Sequence, residues 1–148
     1  MKRMWLPLML LAVVAVVFPA CETNDPDEYP NGVITLKMRN DRGTYLYLDY
    51  KNGDGGPSIY IDEANNFKGS AGFCDVGRKK LNSVKSVPTN GWAGSVAVTP
   101  GHSYVIRFGY EDSQYSPLTY YKLYVVDYIE STGGGIIGAE VKYCQWNP

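Results

Sequence analysis

The side chains best suited to covalent or acid–base chemistry are few in this chain. They are three cysteines, Cys21, Cys74 and Cys144, and one histidine, His102. General acid–base catalysis needs a titratable group within reach of the proton it moves, and a zinc site needs three or four clustered His, Cys or carboxylate ligands. The sequence shows neither pattern, and it contains no Gly-x-Ser-x-Gly nucleophile motif. We therefore expect no catalytic residue, no metal site and no cofactor, with a hydrolase of unrecognised type as the enzymatic alternative.

Two further features could suggest chemistry but favour turns. His102 follows Pro100-Gly101 at the start of a β-patterned stretch, where a single histidine more often caps a turn than acts as a base. Gly133, Gly135 and Gly138 have the spacing of a dinucleotide-binding motif. That motif works only between a strand and a helix N-terminus, whereas these glycines precede a second β-patterned stretch. The sequence predicts a hairpin turn there.

Cys21 ends an apolar segment that has the layout of an export signal. Two basic residues precede the uncharged run Met4–Val17, and acidic sequence follows Cys21. The run is shorter than the roughly 20 apolar residues that span a membrane, and Phe18 stands where ordinary secretory cleavage needs a small residue. The segment resembles the bacterial lipoprotein signal, which is cut before a cysteine whose thiol takes diacylglycerol. The resemblance implies a signal peptide over residues 1–20 and lipidation of Cys21; plain secretion and a retained membrane anchor are the alternatives.

Residues 21–31 read as an acidic tether. They contain two prolines, four acidic residues and no aliphatic residue, so they cannot build a core. Loss of residues 1–20 would change the net charge from −1 to −3, and residues 32–148 hold 12 basic against 11 acidic residues. A nearly neutral domain has no electrostatic footprint for nucleic acid. We expect the lipid anchor in the membrane as one partner and no nucleic acid among the others.

Residues 32–148 have the period-two hydrophobic pattern of half-buried antiparallel strands. Such stretches are Val33–Arg39, Tyr45–Tyr50, Ser58–Asp62, Ser95–Val98, His102–Tyr110, Tyr120–Ile129 and Ile136–Tyr143. Clusters of Gly, Pro, Asn and Asp separate them. Only Gly77–Val87 has helical spacing, enough for a short helical turn. The sequence predicts one all-β domain, an antiparallel β-sandwich, Ig-like or related, of about seven to nine strands.

Cys74 and Cys144 form an even pair once Cys21 is lipidated. An even pair in an exported domain is a disulfide candidate. The alternative is two buried free thiols, because cysteine also packs well as a small hydrophobic residue. Sequence alone leaves both readings open, and the disulfide is the prediction.

Aromatic side chains are the best candidates for ligand contact, since the chain has 13 tyrosines. Tyr45 and Tyr47 alternate with Leu46 and Leu48, and therefore face the other side of their strand. Trp92 follows a glycine in a loop, where it could form an exposed platform or fold back as a plug over the end of the sandwich. Large aromatic rings with a polar tip suit recognition surfaces. The alternative is that these residues only complete a sheet face.

The mature domain resembles small lipoproteins of Bacteroidetes whose domains have unknown function. The resemblance rests on the acidic start after Cys21 and on three motifs: Asn65–Ser70, Pro88–Trp92 and Pro100–Val105. It implies a lipid-anchored protein of the outer membrane or cell surface, on the periplasmic or the external side. It implies no established activity. We expect a non-catalytic binding or assembly accessory whose partner is an envelope protein or a glycan; the alternative is a carbohydrate-binding module of a surface glycan-uptake system.

Overall fold

The strands of this protein form two packed antiparallel sheets. A computed structural model describes residues 33–48, 58–114 and 117–148; the predicted signal peptide, the tether and Cys21 lie outside these residues. The nine strands within them are β1 Ile34–Arg39, β2 Tyr45–Tyr47, β3 Ser58–Ile61, β4 Asn66–Gly69, β5 Gly72–Gly77, β6 Val96–Ala97, β7 Ser103–Phe108, β8 Thr119–Glu130 and β9 Ile136–Trp146. The larger sheet has the order β1-β9-β8-β7-β5, and the smaller has the order β2-β3-β4-β6.

The core lies between the two sheets and confirms the predicted β-sandwich. Phe67 from the smaller sheet contacts Phe73 and Tyr104 of the larger one, with ring centroids 6.2 and 5.2 Å apart. All three side chains are fully buried. The β8–β9 hairpin turns at Ser131–Gly135, where the N–H of Ser131 donates to the carbonyl of Gly135 at 2.8 Å. The glycine-rich segment is thus the predicted hairpin turn.

Two strands of the sandwich, β4 and β5, have no clear signature in the sequence. β4 has four residues and a single buried apolar side chain, Phe67. Its last residue, Gly69, has φ +146°, and a Cβ there would lie 2.0 Å from the carbonyl oxygen of Ser58. Glycine is therefore required by a close approach of two backbones. In β5, Phe73 and Cys74 are both buried, so the strand lacks the alternation that marks a half-exposed strand.

A second apolar layer covers the outward side of the larger sheet. Residues 78–94, the covering loop, lie over this side and contain a short 3₁₀ turn at Leu81–Ser83, which agrees with the predicted helical turn. Leu81 and Val84 are buried. Beneath them a row of paired residues crosses four strands: Cys74, Val105, Lys122 and Cys144. All four are buried, so this sheet is covered on both sides here.

Lys122 is the charged member of that row. Its side chain is 3% exposed, and its ammonium donates to the carbonyl of Leu81 at 3.4 Å and to the carbonyl of Val84. The ammonium also lies 4.0 Å from the ring centroid of Trp146, a cation–π distance. Burial lowers the pKa of Lys122, and the positive charge of Lys85 lowers it further. The covering loop is thus held to the sheet by a desolvated charge.

The predicted Cys74–Cys144 disulfide is wrong for this fold. Both cysteines are free, buried thiols. They lie on β5 and β9, with β7 and β8 between them. Three strand spacings amount to about 14 Å, whereas bridged cysteines have Cα atoms within about 7 Å. The alternative reading, two buried free thiols, is the one that the structure supports.

We expect both thiols to react slowly with iodoacetamide at pH 8 in the folded protein. Burial raises the pKa of Cys74 and of Cys144, so little thiolate forms, and the thiolate is the nucleophile. Alkylation with and without denaturant, in a Cys21→Ser background and without reductant, measures this. Denaturation alone should release two reactive thiols, and a disulfide-linked peptide in a non-reducing map would contradict the free-thiol structure.

The buried ammonium of Lys122 also predicts how the free energy of unfolding depends on pH. Because folding lowers the pKa of Lys122, the unfolded chain binds more protons between the folded pKa and the ordinary value of 10.5. The contribution of Lys122 to the free energy of unfolding should therefore rise with pH through this window and be lost as pH falls through the folded pKa.

Denaturant titrations of the native protein and of Lys122→Met, from pH 7 to pH 10, measure the effect. The free energy of unfolding of the native protein minus that of the variant should increase with pH. Taking this difference cancels the titration of the tyrosines and thiols, which both proteins contain. Lys37→Met, at a side chain that is 70% exposed, should give a nearly flat difference. A flat difference for Lys122→Met would show that the ammonium is not desolvated.

Candidate functional site

Three tyrosines form an aromatic group on the outward side of the smaller sheet. Tyr45 lies 5.4 Å from Tyr60 and 6.4 Å from Tyr47, measured between ring centroids. Tyr45 and Tyr47 are each 47% exposed, and Tyr60 is half-buried. We call Tyr45, Tyr47 and Tyr60 the tyrosine surface. It contains both tyrosines that the sequence singled out.

The pairing of β2 with β3 creates the tyrosine surface. Tyr45 pairs with Tyr60, and Leu46 pairs with Ile59. Because side chains alternate between the two faces of a sheet, the leucine and isoleucine enter the core while the tyrosines face outward. Leu46 is 3% exposed and Ile59 fully buried. The core thus fixes the register that brings the tyrosine rings together.

Charged groups border the tyrosine surface. Lys68 pairs with Tyr60 across β3 and β4, and its ammonium lies 2.9 Å from a carboxylate oxygen of Asp62. Asp62 also accepts the backbone N–H groups of Ala64 and Asn66, at 3.0 and 2.8 Å. Burial acts to raise the pKa of Asp62, but the Asn66 N–H and the Lys68 ammonium outweigh it and hold this pKa below its usual range. The hydrogen bond to Asp62 raises the pKa of Lys68, so a fixed ion pair flanks the rings.

Trp92 lies on the opposite side of the sandwich from the tyrosine surface. Its indole N–H donates to the carbonyl of Pro88 at 2.9 Å, and the Arg107 guanidinium lies 4.2 Å from the ring centroid. A Cβ on Gly72 would lie 3.6 Å from the ring. Trp92 is half-buried and belongs to the cover over the larger sheet. Trp92 therefore lies over the outer side of the larger sheet, and its role in ligand binding stays a prediction.

His102 contacts a carboxylate, but the arrangement is that of a turn. Its Nδ1 lies 3.0 and 3.1 Å from the two carboxylate oxygens of Asp75, and Asp75 also accepts the N–H of Gly77 at 2.7 Å. The pair joins the irregular end of β5 to the start of β7. Within the described residues no hydroxyl or thiol bonds to the His102 ring, so the pair lacks the nucleophile that a hydrolytic dyad would activate.

Other kinds of site are not seen in residues 33–48, 58–114 and 117–148. They hold no group of three or more His, Cys, Asp or Glu side chains placed for a metal ion. None of their helices has the length and apolar character of a membrane span. The tyrosine surface brings together Tyr45 and Tyr47, which the sequence predicted. Its third member, Tyr60, was not predicted from the sequence, and neither was Lys68, which borders it.

Comparison with known proteins relates most of this chain to a protein family. Residues 47–148 match the family described as a domain of unknown function, DUF5036. No curated protein and no solved structure matches the chain. The matched region begins in β2 and includes every later strand of the two sheets. Because it covers well over half of the chain, the protein belongs to the DUF5036 family.

Proposed function

We propose that this is an exported, lipid-anchored envelope protein that binds a ligand through the tyrosine surface and catalyses no reaction. The anchor is supported by the apolar run Met4–Val17, which ends shortly before Cys21. The acidic tether over residues 21–31 would hold the sandwich away from the membrane. The place of action is the outer membrane or the cell surface.

The observation that carries the binding proposal is the exposure of clustered aromatic rings. Tyr45 and Tyr47 each leave 47% of their surface to solvent, although a tyrosine gains free energy by burying its ring. Neither hydroxyl has a hydrogen-bond partner within the described residues, unlike Tyr104, whose hydroxyl donates to Ala97 at 2.7 Å. Exposed aromatic groups of this kind mark interaction surfaces. A ligand would bury the rings and bond their hydroxyls.

Carbohydrate is the ligand class that this surface suits best, which makes a carbohydrate-binding module the first candidate. Tyrosine rings pack against the apolar face of a sugar ring, and polar groups at the edge bond its hydroxyls. The ion pair of Lys68 with Asp62 provides charged donors and acceptors beside Tyr60. An envelope protein is the second candidate, because the half-exposed rings also form a partly apolar surface.

We expect the Tyr45→Ala, Tyr47→Ala double variant to lose ligand binding while keeping its fold. The side chains are half-exposed, so their truncation should cost about 1 kcal/mol of stability or less. A glycan array screened with soluble mature chain, in which Cys21 is replaced by serine, identifies the ligand, and titration of that ligand should show at least a tenfold weaker Kd for the variant.

Tyr110→Ala is the matched control for this experiment. Tyr110 is 75% exposed and follows β7, a strand of the larger sheet, whereas β2 and β3 belong to the smaller one. This variant should bind as the native chain does. An empty array would remove the glycan candidate and leave an envelope protein, while equal binding by the double variant and the native chain would contradict the tyrosine surface as the site.

The anchor has a separate test. Cys21→Ser should abolish labelling by an alkyne fatty acid and release the protein from membranes into the soluble fraction, because the thiol that takes the lipid is gone. Cys144→Ala serves as the control: its thiol is buried, so labelling should stay unchanged. Labelling of Cys21→Ser at the native level would show that Cys21 is not the lipidated residue.

A further inference from the structure

A cleft lies between β5 and the covering loop, on the side of the sandwich that faces away from the tyrosine surface. Its volume is about 390 Å³, within the range of small-molecule pockets. The Cys74 thiol lies at its base, 3.4 Å from the carbonyl oxygen of Asn90. The lining is part polar and part apolar, and the polar residues include Lys79, Ser83, Lys85 and Ser86.

The charge around this cleft has one dominant sign. Residues 76–110 contain five basic residues and no acidic one. Two of the five, Lys79 and Lys85, line the cleft. Neither forms an ion pair with any residue in the described part of the chain. Two exposed lysines that have no carboxylate partner among the described residues therefore line one open cleft.

The neighbouring charged groups do not neutralise the positive charge of Lys79 and Lys85. The buried Lys122 ammonium holds the loop from below, and the positive charge of Lys85 helps to lower its pKa. The carboxylate that lines the cleft is Asp75, and its oxygens are held by His102 and by the N–H of Gly77. A bound anion would relieve the repulsion between the lysines, which Asp75 does not contact.

We propose that this cleft binds a small ligand through a sulfate or phosphate group, with Lys79 and Lys85 as its charged contacts. The hydroxyls of Ser83 and Ser86 would donate hydrogen bonds to the same group. A tetrahedral oxyanion accepts several such bonds at once, and charge-assisted hydrogen bonds are the strong ones. Two sources share this chemistry, the free oxyanion and a sugar that carries it as an ester, and the titration below distinguishes them. This proposal does not depend on the tyrosine surface, and a separate experiment tests it.

Nuclear magnetic resonance titration of the ¹⁵N-labelled soluble mature chain tests the proposal. The probes are inorganic phosphate, inorganic sulfate, glucose 6-phosphate and glucose 6-sulfate, with glucose and sodium chloride as references. The amides of residues 79–91 should shift saturably with at least one oxyanion and with neither reference. Tighter binding of the esters would identify a sugar-borne group, and equal binding would identify the oxyanion itself.

Variants that each remove one positive charge distinguish binding at the cleft from non-specific attraction of the anion to the charge of the protein. Lys79→Gln and Lys85→Gln should each weaken binding about tenfold or more, since a hydrogen bond to a charged group contributes about 1.5–3 kcal/mol. Lys37→Gln changes the net charge equally at an exposed side chain of β1 and should leave the Kd unchanged. The native amide spectrum outside residues 79–91 reports that each variant is folded.

Two results would overturn the proposal. One is the absence of saturable shifts in residues 79–91 with all four oxyanions. The other is an equal loss of affinity in Lys37→Gln and in the two cleft variants, which would mean screening by net charge only. Neither result would bear on the tyrosine surface, because glycan binding there is measured with different variants.

Discussion

One buried ammonium holds the middle of the covering loop on the larger sheet, between the bonds of Lys79 to Ser103 and of Ala93 to Phe73. The outward side of the larger sheet presents Cys74, Val105 and Cys144, which would form an apolar surface in water if the loop were absent. The loop forms only a short 3₁₀ turn, so most of its carbonyls need partners from elsewhere. Lys122 supplies donors to two of them. Desolvating the lysine costs free energy, and the bonds of its ammonium to the loop offset this cost while the loop covers this side of the sandwich.

This arrangement gives the two sides of the sandwich different characters. The larger sheet is sealed by a basic loop, which bonds to β5 through Ala93 and Phe73 and to β8 through Lys122. The cleft lies between this loop and β5. Among residues 33–48, 58–114 and 117–148 no comparable loop covers Tyr45 and Tyr47, whose rings are half-exposed. The two proposed sites use opposite sides of the sandwich without sharing residues.

Much of the fold could be predicted because one side of most strands is buried. The alternation of Tyr45 to Leu48 gave both the strand and the direction of its rings, and the glycines after β8 gave the hairpin. Strict alternation along β8 would turn Tyr128 away from the side of Val125, but Tyr128 packs against the core and donates to the carbonyl of Val98 at 2.8 Å. An irregularity in the β8–β9 pairing after Val125 changes the side to which later residues point.

Other features depend on contacts that alternation does not encode. β4 and β5 are short or covered on both sides, so no period-two pattern marks them. The even number of cysteines says nothing about strand order, which places β7 and β8 between the two thiols. Two of the three tyrosines of the site could be predicted from the sequence, because Tyr45 and Tyr47 follow from the alternation of their own strand. Tyr60 joins them only through the β2–β3 register. The cleft was missed because its charge comes from a loop whose position depends on Lys122.

Hydrogen exchange of backbone amides tests the role of Lys122 most directly. The relevant amides are those of Ser83 and Val84, which bond within the turn, and that of Ala93, which donates to Phe73 at 2.8 Å. In Lys122→Met these three should lose protection at least tenfold at pH 7, while amides in the β7–β8 ladder keep theirs, because local opening involves only the loop. Unchanged protection of the three loop amides would contradict the conclusion that the buried ammonium holds the covering loop on the sheet.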